Sequence, residues 1–394
     1  MTPGARVAAA ADLLDDILGG APAEKALTGW ARGHRFAGSK DRAAIRDLVY
    51  DALRRRRSLA ALGGAETGRG LMIGLARESG HDAALLFDGV GYGPAPLSEA
   101  EAEAGRAPLD GPEALDCPDW LWPDLQDSLG ADAAAALAAL RERAPVHLRV
   151  NTRRTTVDEA QAQLAAAGTD TRRHPLSATA LEVVTGARRL RADPAVLSGA
   201  LEFQDAASQA VSDLVPLPEG GRLLDYCAGG GGKTLAIGAR VKGHFVAHDA
   251  APRRMADLPA RAARAGLAVH CAAPDALAAE APFDTVLVDA PCSGSGSWRR
   301  DPQGKWTLDP ARLDELTALQ DEILVAACGH VAQGGSLCYV TCSLLARENE
   351  ERIAAFLSAM PGWTCRAQHR FTPADGGDGF FFALLGRDVD TTQG

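Results

Sequence analysis

Two cysteines are set where a sheet could present them to a ligand. Cys292 lies in Asp289-Ala290-Pro291-Cys292-Ser293-Gly294, directly after the apolar run FDTVLV. Cys342 lies in Tyr339-Val340-Thr341-Cys342-Ser343, at the end of a second apolar run. A cysteine just past a strand is carried to the rim of a sheet, where a thiolate can act as a nucleophile. Two of them on neighbouring strands would face one cleft, an arrangement suited to covalent catalysis; a disulfide is the competing reading. Cys271, Cys328, Cys338 and Cys365 sit in apolar runs and read as small core residues. No pair among the eight cysteines has zinc-ligand spacing, so no metal is expected.

A second chemistry-bearing stretch is Asp225-Tyr226-Cys227-Ala228-Gly229-Gly230-Gly231-Gly232-Lys233-Thr234. Consecutive glycines between a strand and a helix let backbone approach a ligand where any side chain would collide. A phosphate-cradling loop needs glycine at 227, where Cys227 stands, and a dinucleotide fingerprint needs a third glycine where Thr234 stands. The third reading is a nucleoside-bearing cofactor without phosphates. Asp249, at the end of the next strand, is placed to accept from ribose hydroxyls, and Asp275 follows the strand after that. By itself this stretch indicates a nucleotide-like ligand.

The elements that must carry these residues begin at about 201. Short β-like runs alternate with helical ones (RLLDYCA, HFVAHD, AVHCAA, FDTVLVDAP, SLCYVTCS), which indicates an open, mainly parallel sheet covered on both faces. WTCRAQHRF and GFFFALLG have no helix between them and read as an antiparallel pair closing one edge. Ligands of such sheets bind beyond the carboxyl ends of the strands. Ahead of this domain, 1–143 reads as helical, with a Gly, Pro and acid-rich loop at about 88–118 and a helix over 119–143. Residues 144–200 suit a small α+β unit. SKDRAAIRDLVYDALRRRRSLAAL forms one amphipathic helix, with Ser39 as its N-cap.

The net charge of −10 and pI near 5.4 speak against a polyanionic partner, but the distribution does not. Residues 30–58 hold nine Lys/Arg against three acids, and 141–191 hold ten Arg against five, enough for a local basic footprint. No membrane span or export signal is visible, so a cytoplasmic location is expected.

These motifs resemble the Sun-domain (RsmB-like) RNA cytosine-C5 methyltransferases. The resemblance covers about 201–387 and rests on CAGGGGKT, DAPCSGSG-WRR-P and YVTCSLLARENEE, in the family's order and spacing, with QDAASQ at 204–209 ahead of the glycine loop. More loosely, SKDRAAIRDLVYDALRRR is similar to a helical NusB-like RNA-binding region, and RVNTRR at 149–154 to a small RNA-binding module. The resemblance implies a class I (Rossmann-like) α/β methyltransferase domain over 201–394. Its cofactor would be S-adenosyl-L-methionine, bound by Cys227, Ala228, Gly229, Gly230, Gly231, Gly232, Lys233, Asp249, Asp275 and Asp289. Cys342 would be the attacking nucleophile and Cys292 would assist product release. Asp289 would donate a proton to the cytosine edge, and Lys233 would lower the thiolate pKa or orient substrate. Arg299, Arg300 and Lys305 would suit the RNA backbone, and Trp298 or Trp306 a stacked base. One departure stands out: Gly230 replaces the proline of the family's AxPGGKT, which adds flexibility.

The implied partner is RNA, small-subunit ribosomal RNA first and transfer RNA second, with no membrane and no obligate protein partner. Three alternatives compete. A DNA cytosine-C5 methyltransferase would use Cys292 as nucleophile, an RNA-binding assembly factor would have lost catalysis, and a dehydrogenase would have no use for paired cysteines.

Overall fold

Four short runs open the part of the chain that begins at Ala144: β1 (His147–Val150), β2 (Thr171–Arg173), β3 (Ala180–Val183) and β4 (Leu201–Phe203). They pair antiparallel in the order β2-β3-β1-β4. The helix Val157–Ala166, started by a Thr156/Glu159 capping box, buries Ala160 and Leu164 against Leu148, Val150, Leu181 and Leu201. Residues 201–203, which the sequence places at the start of the larger domain, instead form an edge strand of this smaller sheet. Three residues are too few to show in sequence which sheet they join; the pairing of Arg149 with Glu202 decides it.

The alternating runs that follow are β5 (Arg222–Asp225), β6 (His244–Ala247), β7 (Val269–Cys271), β8 (Phe283–Asp289), β9 (Val331–Thr341), β10 (Trp363–Phe371) and β11 (Phe380–Arg387). Their order is β10-β11-β9-β8-β5-β6-β7. The five strands from β7 to β9 are parallel, and β10 and β11 are antiparallel. This is the Rossmann-like class I methyltransferase order, in which the last strand inserts between the fifth and sixth. Successive residues point to opposite faces and both faces are covered: Leu223, Leu287, Cys338 and Val340 enter one core, and Leu224, Val286, Val288 and Tyr339 the other.

The computed structural model describes residues 1–387, and the chain divides into two compact units. The strands belong to Ala144–Ser297 and the chain from Leu308 onward; Met1–Arg143 forms the other unit together with Trp298–Thr307. In that helical unit, α1 (Pro3–Leu18), α2 (Ala23–Gly33), α3 (Ser39–Arg54), α4 (Arg56–Gly63) and α5 (Gly68–Glu78) enclose a core that includes Leu14, Ile45, Val49, Leu53, Leu59 and Leu71. Ser39 is the first residue of α3 and not its cap; Gly38 holds that place, its N–H donating to Asp41. The helix expected over 119–143 is split into Trp122–Leu129 and Ala133–Leu140, because Gly130 takes φ +55°.

Trp298–Thr307 departs furthest from expectation. Lys305 Nζ donates to Arg54 O (3.1 Å) and Trp306 Nε1 to Leu53 O (2.7 Å), while Arg54 Nε donates to Arg299 O (2.7 Å). The last carbonyls of α3, which no helical N–H can reach, are thereby satisfied, with a cation at the negative end of the helix. Trp298 and Lys305 are each 2% exposed and Arg299 4%. These three side chains are therefore not laid out for an RNA backbone or a stacked base: they are buried. Arg56 and Lys305 both lie over the Trp306 ring, and only Arg300 of the basic trio is exposed.

Burial pulls the Lys305 ammonium down to about 8, against the opposing pull of Asp116 and Cys117. A lysine lowered on folding costs stability below its folded pKa, and the cost fades as pH rises toward its unfolded value. Wild type should therefore gain about 2 kcal/mol relative to Lys305→Met between pH 7.5 and 9.5. Urea unfolding of both proteins at the two pH values measures it; an unchanged difference would refute the buried charge.

Candidate active site

The glycine loop is built by its own backbone. After β5, Tyr226 N–H donates to Leu287 O (2.8 Å), Ala228 N–H to His248 O (2.8 Å) and Gly231 N–H to Ala228 O (2.7 Å). Closing that tight turn requires φ of +50° at Gly229 and +73° at Gly231, and a Cβ at Gly231 would lie 2.3 Å from a Leu258 methyl. Helix Gly232–Arg240 starts at Gly231 with no side-chain cap, so the first-turn N–H groups face the loop. Asp249, 2% exposed, holds the turn from the end of β6: Oδ2 accepts from Gly229 N–H (3.0 Å) and Oδ1 from Ala251 N–H (2.9 Å), with Arg254 3.2 Å away. Burial keeps Cys227 a thiol by pushing its pKa far up. Asp275 is exposed in the turn after β7. Asp225 is fully buried; its Oδ2 accepts from Thr234 (2.5 Å), its Oδ1 has no partner, and burial raises its pKa to about 7.

The two sequence-singled cysteines meet. Asp289 of β8 pairs in register with Val340 of β9, so the residues beyond them emerge at one height. Cys292 Sγ and Cys342 Sγ lie 3.4 Å apart, both half-buried and both free. The shared hydrogen bond drives the pair in opposite directions. Cys342 is lowered by the bond from Cys292, against burial and the Asp289 charge, with Lys233 helping. Cys292 is raised by the same bond and by burial. The bond thus favours the charged form of Cys342 and the protonated form of Cys292.

Lys233 Nζ donates to Asp289 Oδ2 at 2.6 Å and lies 5.1 Å from the Phe380 ring centre. Burial pulls Lys233 down, but the charge and hydrogen bond of Asp289, then Cys342, outweigh it and leave it raised. The ammonium is thus fixed on the Asp289 carboxylate, within electrostatic reach of Cys342.

One residue of the site was not singled out in the sequence. Glu348, wholly buried, accepts from Ser293 N–H (2.7 Å), from the hydroxyls of Ser293 and Ser343, and from Gln320 Nε2 (3.1 Å). Those serines directly follow the two cysteines, so one carboxylate ties both loops together. Gly296 N–H to Cys342 O (2.9 Å) and Leu344 N–H to Ser295 Oγ (2.8 Å) complete the seam. The cue in sequence was an acid six residues past a rim cysteine, invisible without knowing that the chain turns back.

Among the described residues, His147, His174 and Glu182 of the smaller sheet could in principle gather a cation, their ligand atoms lying within 4.8 Å of one another. Each already has a partner: His147 Nδ1 lies 3.1 Å from Asp205, His174 Nδ1 accepts from Leu176 N–H, and Glu182 is paired with Arg172.

The family described as 16S rRNA methyltransferase RsmB/F matches residues 213–385, and its ferredoxin-like domain matches 117–188. The chain is 34% identical over 282 residues to ribosomal RNA small subunit methyltransferase B of Klebsiella pneumoniae and to that of Yersinia pestis, 68% of this chain in each case. It covers 65% and 66% of those relatives' own length, just under two thirds. The fold is that of the crystal structure of PH0851 (TM-score 0.76, 23% identity, 98% of this chain and 99% of that one). It is also that of a methyltransferase homologue from Pyrococcus horikoshii (TM-score 0.62, 22% identity, 71% of this chain and 98% of that one). With both domain matches in chain order and together spanning more than half of the sequence, the chain belongs to the Sun-domain RsmB/F methyltransferase family.

Proposed function

We propose that the protein transfers a methyl group from S-adenosylmethionine to carbon 5 of a cytosine in RNA, with small-subunit ribosomal RNA as the substrate. The observation that carries this reading is the sulfur pair at the rim of β8 and β9, one member lowered and the other raised. That the relatives are small-subunit ribosomal RNA methyltransferases supports ribosomal RNA over transfer RNA.

S-adenosylmethionine fits the residues at the end of β5. The orphaned Asp225 Oδ1 can accept from an ammonium, the uncapped helix start can donate to a carboxylate, and the glycines leave room for both. Cys227, Ala228, Gly229, Gly230, Gly231 and Gly232 would line it, Asp249 would take the ribose and Asp275 the base. Asp249 would then have to share its carboxylate with Arg254. When bound, the cofactor supplies an electrophilic methyl group on a sulfonium.

Carbon 5 of cytosine is too poor a nucleophile to take that methyl unaided. The Cys342 thiolate adds to carbon 6, and a proton passed from the Lys233 ammonium through Asp289 to the ring nitrogen leaves an enamine whose carbon 5 is nucleophilic. Once carbon 5 is methylated, loss of its proton expels Cys342 and restores the aromatic ring. Cys292, 3.4 Å from the departing sulfur, assists this release: its thiol proton passes to the leaving Cys342 sulfur as its own sulfur takes the proton from carbon 5. The target base must leave its stack to reach these sulfurs, at least cost in a single-stranded loop.

With RNA and cofactor present, Cys292→Ala should stall as a covalent adduct visible on a denaturing gel. Cys342→Ala should form no adduct and lose at least about 1,000-fold in turnover. The reverse pattern would make Cys292 the nucleophile, as in a DNA enzyme, and no adduct or turnover from wild type with either nucleic acid would leave only a binding protein. The pH–rate profile gives a second test with opposite signs. Lys233 lowers the Cys342 pKa and Asp289 raises it. Lys233→Met should therefore move the acid limb to higher pH, with about a tenfold loss at pH 7, and Asp289→Asn should move it to lower pH. Shifts in the same direction would dissociate these residues from the thiolate.

A further inference from the structure

A chain of polar contacts links the smaller sheet to the glycine loop. Arg261, on helix Leu258–Ala265, donates through Nη1 to Gly230 O and through Nε to Glu202 Oε1 (3.1 Å). Glu202 of β4 accepts from Arg149 Nη2 (2.6 Å), and Arg149 of β1 donates from Nε to Gln204 Oε1 (2.6 Å). Gln204 Nε2 returns to Gly232 O (3.4 Å). The loop is therefore held at two carbonyls, Gly230 and Gly232, by side chains anchored in the other sheet. Arg149 is 2% exposed and Glu202 largely covered, so the Arg149–Glu202 end of the chain is shielded from water and salt, while the Arg261–Gly230 contact lies at the surface.

We infer that Arg261 and Glu202 are positioning residues for the cofactor loop: an ionic clamp that fixes the backbone at Gly230, where the residue itself gives no stiffness. Three observations carry this. Gly230 lies between two left-handed glycines, where the unliganded backbone has most freedom to lose. A Cβ on Gly230 would come 2.8 Å from Arg261 Nη1, so the guanidinium occupies the space a side chain would use. Gly230 itself is outside the left-handed region, so proline at this position could supply the same stiffness covalently. The clamp and a bulkier residue 230 thus compete for the same space, and the guanidinium would have to move aside for a side chain there.

This inference rests on the S-adenosylmethionine reading, and the experiment separates the two. Cofactor binding is titrated by calorimetry for wild type, Arg261→Ala, Arg261→Lys, Gly230→Pro and Gly230→Pro/Arg261→Ala, with the melting temperature of each recorded without cofactor. Arg261→Ala should weaken binding about tenfold, as expected for loss of charge-assisted hydrogen bonds, and raise KM far more than it lowers kcat. Arg261→Lys, which cannot span both Gly230 and Glu202, should fall between. Gly230→Pro should weaken binding in the wild-type background yet restore it to within about threefold of wild type when Arg261 is alanine. A merely structural role would lower melting without this rescue. If Arg261→Ala and Arg261→Lys bind as wild type does, or the double variant is weaker than either single one, the clamp is refuted. If wild type does not bind S-adenosylmethionine, the cofactor reading fails first.

Discussion

Two sulfurs held 3.4 Å apart at the ends of adjacent parallel strands are the constraint around which the larger sheet is organised. Strand register sets their height, since Asp289 and Val340 are paired neighbours. Loop chemistry sets their separation, since Glu348 gathers the serine behind each cysteine. A buried carboxylate left unpaired would be costly; surrounded by donors it becomes a rigid knot that keeps two otherwise independent loops from drifting.

The same crowding dictates the charge state. Two thiolates at contact distance would repel, so ionising one sulfur opposes ionising the other, and the environment decides which is charged more readily. The hydrogen bond between the sulfurs favours the charged form of Cys342, while the Lys233–Asp289 pair acts on it with opposing signs, the carboxylate raising its pKa and the ammonium lowering it. The two sulfurs are thus distinguished by their surroundings, although both belong to cysteines that follow a β-strand.

Much of this arrangement was legible in the sequence because it is local. Alternating runs gave the parallel sheet and its antiparallel edge, and chemistry-bearing residues just past each run fell at one rim, where Lys233, Asp289, Cys292 and Cys342 now meet. Tertiary partnership was not legible. Arg299, Lys305 and Trp306 read as a basic and aromatic surface because composition cannot show that the end of α3 needs donors. Leu201–Phe203 is too short to declare its sheet, and Glu348 and Arg261 act through contacts far from their sequence neighbours. Gly230 was readable as a loss of stiffness, but what compensates for it appears only in space.

The capping of α3 by Trp298–Thr307 also orders events during synthesis. A ribosome completes Met1–Arg143 long before it reaches the segment that satisfies Leu53 and Arg54, and in between it must deliver the whole stretch from β1 to β8. The nascent helical bundle therefore waits with an open end, and its last piece arrives directly behind the Cys292 loop. A gene fragment cut at residue 143 would encode a bundle with that end still open.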